Sequence, residues 1–125
     1  MKKLLNKKGF TLMEMLIVVA IIVILVAISI PAFSSSLESA KVATDAANFR
    51  SAKAAAMLAV TSGTTVANGA VYDLTTGKFV DGGDTTKNVG ECTAHAEAYI
   101  VFDNTIEGVY VRWTKNGTDT VDPCN

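Results

Sequence analysis

The sequence predicts an α+β fold in which one long N-terminal helix packs against a small antiparallel sheet. No charged residue occurs from Met15 to Leu37, an apolar run long enough for several helical turns. Residues 40–60 hold nine alanines and neither glycine nor proline, a composition that strongly favours helix. Residues 97–113 instead alternate apolar and polar side chains around turn residues, which is typical of paired strands.

The first third of the chain divides into a basic part and an apolar part. Four lysines lie among residues 1–9. The 23 uncharged residues that begin at Met15 exceed the roughly 20 needed to cross a bilayer as a helix. Because the lysines precede the span, the N-terminus is expected in the cytoplasm and the rest of the chain outside the membrane. We therefore predict a leader at 1–9, a membrane and assembly helix at 10–36, and a globular head at 37–125.

Two features of this region distinguish it from a secretory signal peptide or a plain single-span anchor. The sequence changes abruptly from basic to apolar at Gly9–Phe10, and Glu14 lies inside the apolar run. A carboxylate within a membrane segment costs at least about 2.5–3.5 kcal/mol on insertion scales, which predicts a partner for Glu14. The alternative is that Glu14 lies near the interface and reaches water.

Residues 7–31, KKGFTLMEMLIVVAIIVILVAISIP, resemble the N-terminal signature of type IV prepilins. The family pattern combines a basic leader that ends in glycine, a Phe-Thr-Leu start, a glutamate at the fifth position after the cut and a distal proline. The matching residues here are Gly9, Phe10, Thr11, Leu12, Glu14 and Pro31.

The resemblance implies a maturation pathway and a set of partners. A prepilin peptidase would cut between Gly9 and Phe10 and would N-methylate the new amine of Phe10. The helix would remain, and Glu14 would pair with the N-terminal amine of a neighbouring subunit during assembly. The implied partners are other pilin subunits, the inner-membrane assembly machinery with its ATPase, and the membrane. The precursor would be a single-pass membrane protein, and the assembled filament extracellular.

The helix is predicted to run from Phe10 to about Ser62. Pro31 could end or kink it, but helical signals resume at residues 37–42, so we expect continuation, with Gly63 as the stop. Positions spaced by three and four residues predict a packing stripe that excludes most of the charged side chains Lys41, Asp45, Arg50 and Lys53. The stripe comprises Val42, Ala46, Phe49, Ala52, Ala56 and Val60.

The remaining segments predict turns and short strands. Residues 63–90 are rich in turn signals and are expected to form a loop with little regular structure, with strand candidates at 70–74 and 78–80. Strands are predicted at 98–102 and 108–113. Asn116-Gly117 predicts a tight turn, which leads to an edge strand at 118–121.

Cys92 and Cys124 predict one disulfide in a small exported domain. The alternative is a pair of free thiols in a reducing compartment. A metal site is not expected, because His95 is the only histidine and is interpreted as a surface or edge residue. Asp81 and Asp84 are a weak calcium signal, and a solvated turn is the favoured interpretation.

Charge and motifs exclude several function classes. The net charge is −1, and removal of residues 1–9 leaves seven basic against twelve acidic side chains, or −5. No basic patch remains downstream, so a sequence-specific nucleic-acid binder is disfavoured. The sequence has no phosphate-binding loop, metal-ligand cluster or nucleophile motif, so neither an enzyme nor a cofactor is expected.

The predicted function is a structural subunit of a type IV pilus that serves adhesion, motility or DNA uptake. A pseudopilin of a type II secretion or competence system is the first alternative, and by resemblance the two cysteines favour a pilin. A membrane-tethered binding protein that never polymerises is the second alternative.

Overall fold

The computed structural model describes residues 9–105, 110–117, 121 and 124, and shows the predicted α+β fold. The chain divides into two compact units, with the division between Ser36 and Leu37. The described elements, in chain order, are α1 (Leu12–Thr61), β1 (Val71–Asp73), β2 (Lys78–Val80), a 3₁₀ turn (Thr93–His95), β3 (Tyr99–Phe102) and β4 (Val111–Thr114).

Helix α1 continues through Pro31, as the sequence predicts, and ends at Thr61. Its C-terminal cap consists of two backbone hydrogen bonds, in which Gly63 N donates to Val60 O (3.3 Å) and Thr64 N donates to Ala59 O (2.9 Å). Gly63 adopts the left-handed conformation that this Schellman cap requires (φ 71°). The predicted stop at Gly63 is therefore confirmed.

The four described strands form one antiparallel sheet in the order β2-β1-β3-β4. β1 pairs with β2 with Val71 opposite Val80 and Tyr72 opposite Phe79. β3 pairs with β4 along its whole length, with Ile100 opposite Trp113. The order places β1 and β3 in the centre, and β3 carries the longest run of buried residues of the four described strands.

The core of the head lies where the second half of α1 meets one face of the sheet. Ala52 and Ala56 are fully buried in it, and their small side chains let the helix backbone approach the sheet closely. The predicted stripe is right at these positions and wrong at its edges, because Ala46 and Val60 are exposed. The sheet contributes larger side chains to the same cluster: Tyr72, Ile100, Phe102, Val111 and Trp113.

The strand candidates at 70–74 and 78–80 are confirmed as β1 and β2, and their pairing as a hairpin makes residues 63–90 more regular than the predicted loop. The Asp73 carboxylate accepts hydrogen bonds from the backbone N–H of Thr75 (2.7 Å) and Thr76 (3.2 Å). Gly77 N then donates to Asp73 O (2.8 Å) and closes the turn. These side-chain contacts fold the turn locally, which the prediction of an irregular loop did not include.

Several predictions fall wholly or partly outside the described residues. They are residues 1–8 of the leader predicted at 1–9, the start of the strand predicted at 108–113, and most of the edge strand predicted at 118–121. Val121 is described, and its N–H donates to Trp113 O (3.0 Å) beside β4.

Candidate functional site

The N-terminus of α1 is closed by a reciprocal cap between Thr11 and Glu14. Glu14 N donates to the Thr11 hydroxyl (3.2 Å), and Thr11 N donates to Glu14 Oε2 (2.8 Å). The hydroxyl of Thr11 also donates to Glu14 Oε2 (3.1 Å). This is a capping box, with Thr11 at the N-cap and Glu14 three positions later. It explains why the helix begins at Leu12 rather than at the predicted Phe10.

The apolar part of α1 is exposed along its whole length within its own unit. An 18-residue window has a mean hydropathy of 3.2, and none of that window is buried. By length and composition, α1 is therefore able to cross a membrane. The hydroxyls of Ser29 and Ser34 donate to the carbonyls of Leu25 (2.7 Å) and Ile30 (3.1 Å), so their polarity is satisfied inside the helix.

The predicted cleavage site lies at the exposed end of this segment. Gly9 and Phe10 precede the helix, and Phe10 is 84% exposed. A Cβ added to Gly9 would have no atom within 4 Å. Pro31 lies inside α1, where it has no N–H to donate to the carbonyl of Ala27.

A second cluster of polar residues is buried in the head around Asp45 of α1. Asp45 is only 1% exposed. Its Oδ1 accepts a hydrogen bond from Glu91 N (2.8 Å), and its Oδ2 accepts one from Cys92 N (3.0 Å). His95 Nδ1 lies 3.1 Å from the same Oδ2. A buried carboxylate needs such partners, and here they fix residues 91–95 to the helix.

The disulfide lies against this carboxylate. Cys92 and Cys124 are bonded with their Cα atoms 6.5 Å apart, which agrees with the predicted pairing. Cys124 Sγ is 3.1 Å from His95 Nδ1 and 3.6 Å from Asp45 Oδ2. The imidazole also stacks on the indole of Trp113, with ring centroids 4.1 Å apart.

The sequence-based interpretations of Asp45 and His95 are wrong. Asp45 was expected off the packing stripe and His95 at the surface, yet both are buried. The carboxylate of Asp45 predicted a position in solvent. In the structure it is bound by the backbone N–H groups of Glu91 and Cys92, which follow it by 46 and 47 positions in the sequence. The signal that could have located the cluster is the proximity of Cys92 and His95 in sequence, combined with a single aspartate on the helix face.

Gly90 makes the close packing of this cluster possible. A Cβ at residue 90 would lie 2.8 Å from Asp45 Oδ2 and in still closer contact with His95 Cβ. Gly90 N donates to the carbonyls of His95 (3.1 Å) and Ala98 (2.8 Å). The glycine is needed here for space, not for a left-handed backbone.

A further contact joins α1 to the same segment about two helical turns before Asp45. Glu38 Oε1 accepts a hydrogen bond from Thr93 N (2.8 Å). This backbone hydrogen bond is the main cause that lowers the pKa of Glu38. Glu38 and Asp45 thus bind the backbone of residues 91–93 from two positions on one helix.

The acidic turn at residues 81–84 is organised by its own neighbours. Asp84 Oδ1 accepts hydrogen bonds from the hydroxyl (2.6 Å) and the N–H (2.9 Å) of Thr86, and Lys87 Nζ lies 3.3 Å from Asp84 Oδ2. The Thr86 hydroxyl is the largest of the causes that lower the pKa of Asp84 to about 2. Asp81 is exposed. This geometry fits the favoured interpretation of a solvated turn.

Comparison with known families identifies the N-terminal segment. Residues 4–30 match the prokaryotic N-terminal methylation motif. The match covers the N-terminal segment and confirms there the resemblance to the type IV prepilin signature. Neither a curated protein nor a solved structure matches the chain.

Proposed function

We propose that this protein is a structural subunit of a type IV pilus, made as a membrane-anchored precursor and polymerised outside the membrane. The observation that supports this most strongly is the methylation motif at residues 4–30, which lies on an exposed apolar helix. An exposed face of this size needs a lipid or protein environment. A precursor in the membrane and a filament of bundled helices would supply the two environments in turn.

Processing is proposed at the bond between Gly9 and Phe10. The absence of a side chain at Gly9 and the exposure of Phe10 would leave that bond open to a prepilin peptidase. Cleavage would create a cationic amine on Phe10, which the same enzyme would methylate. The leader is thus removed and the apolar helix kept.

Glu14 is proposed to change partners during assembly. In the single chain, its Oε2 is bound by Thr11 of its own cap. The carboxylate is also exposed in its unit and lies one turn from Phe10, so the amine of a neighbouring subunit could reach it. A pair of opposite charges offsets part of the cost of placing either charge among apolar helices.

The pseudopilin alternative is supported by the same motif. By resemblance, the Cys92–Cys124 disulfide favours a pilin, since pseudopilins often lack a C-terminal disulfide. A non-polymerising tether would need the apolar span but neither the cleavage boundary nor Glu14. The role of the filament, whether adhesion, motility or DNA uptake, would depend on what the exposed surface of the assembled heads binds.

The first test is the intact mass and N-terminal sequence of the protein recovered from sheared cell surfaces. We expect a chain that begins at Phe10 and carries one added methyl group and one disulfide. Recovery in large assemblies supports the filament, whereas recovery only with membranes supports the tether. A chain that begins at Met1 would overturn the proposed processing.

The second test separates the assembly role of Glu14 from its role in the cap. Glu14→Ala should be inserted and cut but should give little filament, because the neighbour's amine loses its partner. Thr11→Val removes the hydroxyl of the cap and keeps Glu14, so it should assemble at near-normal yield. Normal filament yield from Glu14→Ala would contradict the proposal, as would an equal loss in both variants.

A further inference from the structure

The buried cluster in the head brings together four side chains that are all metal-ligand types. A carboxylate oxygen of Asp45, a ring nitrogen of His95 and the sulfurs of Cys92 and Cys124 lie within 4.8 Å of one another. Asp45, Cys92 and His95 are buried and Cys124 is half-buried. All four belong to the head, and none of them has a role in the proposed assembly of the helix.

The donor set matches the preference of zinc. Zn²⁺ binds cysteine thiolate, histidine nitrogen and carboxylate oxygen, with four ligands in a tetrahedron. With metal–ligand bonds of about 2.0–2.3 Å, neighbouring ligand atoms lie roughly 3.2–3.8 Å apart. The observed separations are 3.1 Å from His95 Nδ1 to Asp45 Oδ2, 3.1 Å from His95 Nδ1 to Cys124 Sγ, and 3.6 Å from Asp45 Oδ2 to Cys124 Sγ. The two bonded sulfurs would have to separate.

We propose that the head binds one Zn²⁺ through Asp45, Cys92, His95 and Cys124 when the disulfide is reduced. It loses the metal when a small-molecule disulfide accepts two electrons from the thiolates, is itself reduced to two thiols, and the Cys92–Cys124 bond re-forms. The redox state of the two cysteines therefore determines whether the head is crosslinked by a disulfide or by a metal ion. This inference does not rest on the proposed pilus function, because it concerns only the chemistry of the head.

The conversion balances in electrons and protons. Reduction of the disulfide by a thiol or phosphine adds two electrons and two protons and gives two thiols. Zinc then displaces both thiol protons, since the thiolate is the ligand form. The imidazole stays neutral and keeps its proton on the nitrogen that does not bind metal. With the ion bound, the two thiolates and the carboxylate contribute −3 and Zn²⁺ contributes +2, which leaves the site a charge of −1.

The surrounding contacts hold two of the ligands in place without the disulfide. The backbone N–H groups of Glu91 and Cys92 orient the Asp45 carboxylate. The stack on Trp113 fixes the plane of the His95 ring. Such outer contacts position metal ligands and tune the affinity of the site.

The test uses the full chain in detergent and Co²⁺ as a spectroscopic probe. The disulfide is first reduced with a phosphine, and Co²⁺ is then titrated in. We expect a thiolate-to-cobalt charge-transfer band, strong tetrahedral d–d bands and one equivalent bound. Trp113 is the only tryptophan and stacks on a ligand, so its fluorescence should be quenched in step. Zn²⁺ should bleach the bands, since it binds such sites more tightly than Co²⁺.

The unreduced chain is the matched control, because it has the same sequence and an intact disulfide. It should show none of these signals. His95→Gln, reduced in the same way, should weaken Co²⁺ binding by at least about 10-fold, which is the lower end for loss of even an outer partner. Equal signals from the reduced and unreduced chains would overturn the proposal.

X-ray absorption on the reduced wild-type chain with one equivalent of Zn²⁺ provides a readout that needs no variant. Two sulfur and two nitrogen or oxygen neighbours in a tetrahedral shell would support the site. A shell with oxygen alone, or with sulfur alone, would overturn it, as would full Co²⁺ affinity in a folded His95→Gln chain.

Discussion

Two of the carboxylates of helix α1, those of Glu14 and Asp45, differ in their burial and in how far away their hydrogen-bond partners lie along the chain. Both Glu14 and Asp45 are acids in a largely apolar or alanine-rich helical stretch. Glu14 is bound by Thr11, three residues away. Asp45 is bound by Glu91 and Cys92, 46 and 47 residues away, and its side chain is buried.

The difference shows two ways in which a helical carboxylate finds hydrogen-bond partners, one within the helix and one from the folded head. The hydrogen bonds of the Glu14 carboxylate come from Thr11 in the same helical turn, so they do not depend on the folding of the head. The carboxylate can therefore exchange partners without a change in the head. Asp45 has its hydrogen-bond partners only in the folded head, so the free energy of its hydrogen bonds contributes to the folding of residues 90–95. One acid suits assembly, and the other holds a fold together.

The largest expected effect comes from removing the charge of Asp45. In Asp45→Asn, one of the two backbone donors, Glu91 N or Cys92 N, would face an amide N–H and lose its acceptor. A buried donor left without its partner costs about 1–3 kcal/mol, and more where the lost acceptor is charged. Urea unfolding in detergent, followed by the fluorescence of Trp113, measures the free energy of unfolding of the head.

Asp81→Asn is the matched control, because it makes the same chemical change on an exposed turn. It should change the free energy of unfolding by no more than about 0.5 kcal/mol. Similar stabilities for the two variants would mean that Asp45 is not the structural anchor of residues 91–95.

The fold was predictable where local signals act alone, and the buried cluster was not. Apolar length, alanine content and Gly63 define α1, and alternation defines β3. The cap at Thr11 was also readable, since Thr-x-x-Glu precedes the apolar run. The burial of Asp45 and His95 depends on long-range contacts with Cys92, and no periodicity in one segment encodes such contacts.

A smaller effect is expected from filling the space at Gly90. In Gly90→Ala, the new methyl group would press on Asp45 Oδ2 and on His95, and overpacking of this kind costs about 1–3 kcal/mol. The emission of Trp113 should also shift, because the indole stacks on His95. Thermal unfolding and fluorescence spectra check both effects.

Gly69→Ala tests whether backbone strain alone explains such a loss. Gly69 has φ 86° and open space around its missing Cβ, so alanine there is strained but not crowded. It should be destabilised without a change in the emission of folded Trp113. An unchanged spectrum in Gly90→Ala would show that the cluster tolerates the methyl group.

The smallest effect concerns the cap at Glu14 and tests the local half of the comparison. Thr11→Val keeps the shape of the side chain and removes the hydroxyl that accepts from Glu14 N. Loss of an N-cap costs about 1 kcal/mol, which corresponds to roughly fivefold faster amide exchange in the first turn of α1. The matched variant Thr44→Val removes a mid-helix hydroxyl that donates to Ala40 O (3.0 Å), so it should leave that turn unchanged. Hydrogen exchange read by mass spectrometry on the mature chain in detergent distinguishes the two. Faster exchange in the head of the Thr11→Val chain would contradict the view that the cap is local, since the residues of α1 that bind residues 91–95 are Glu38 and Asp45.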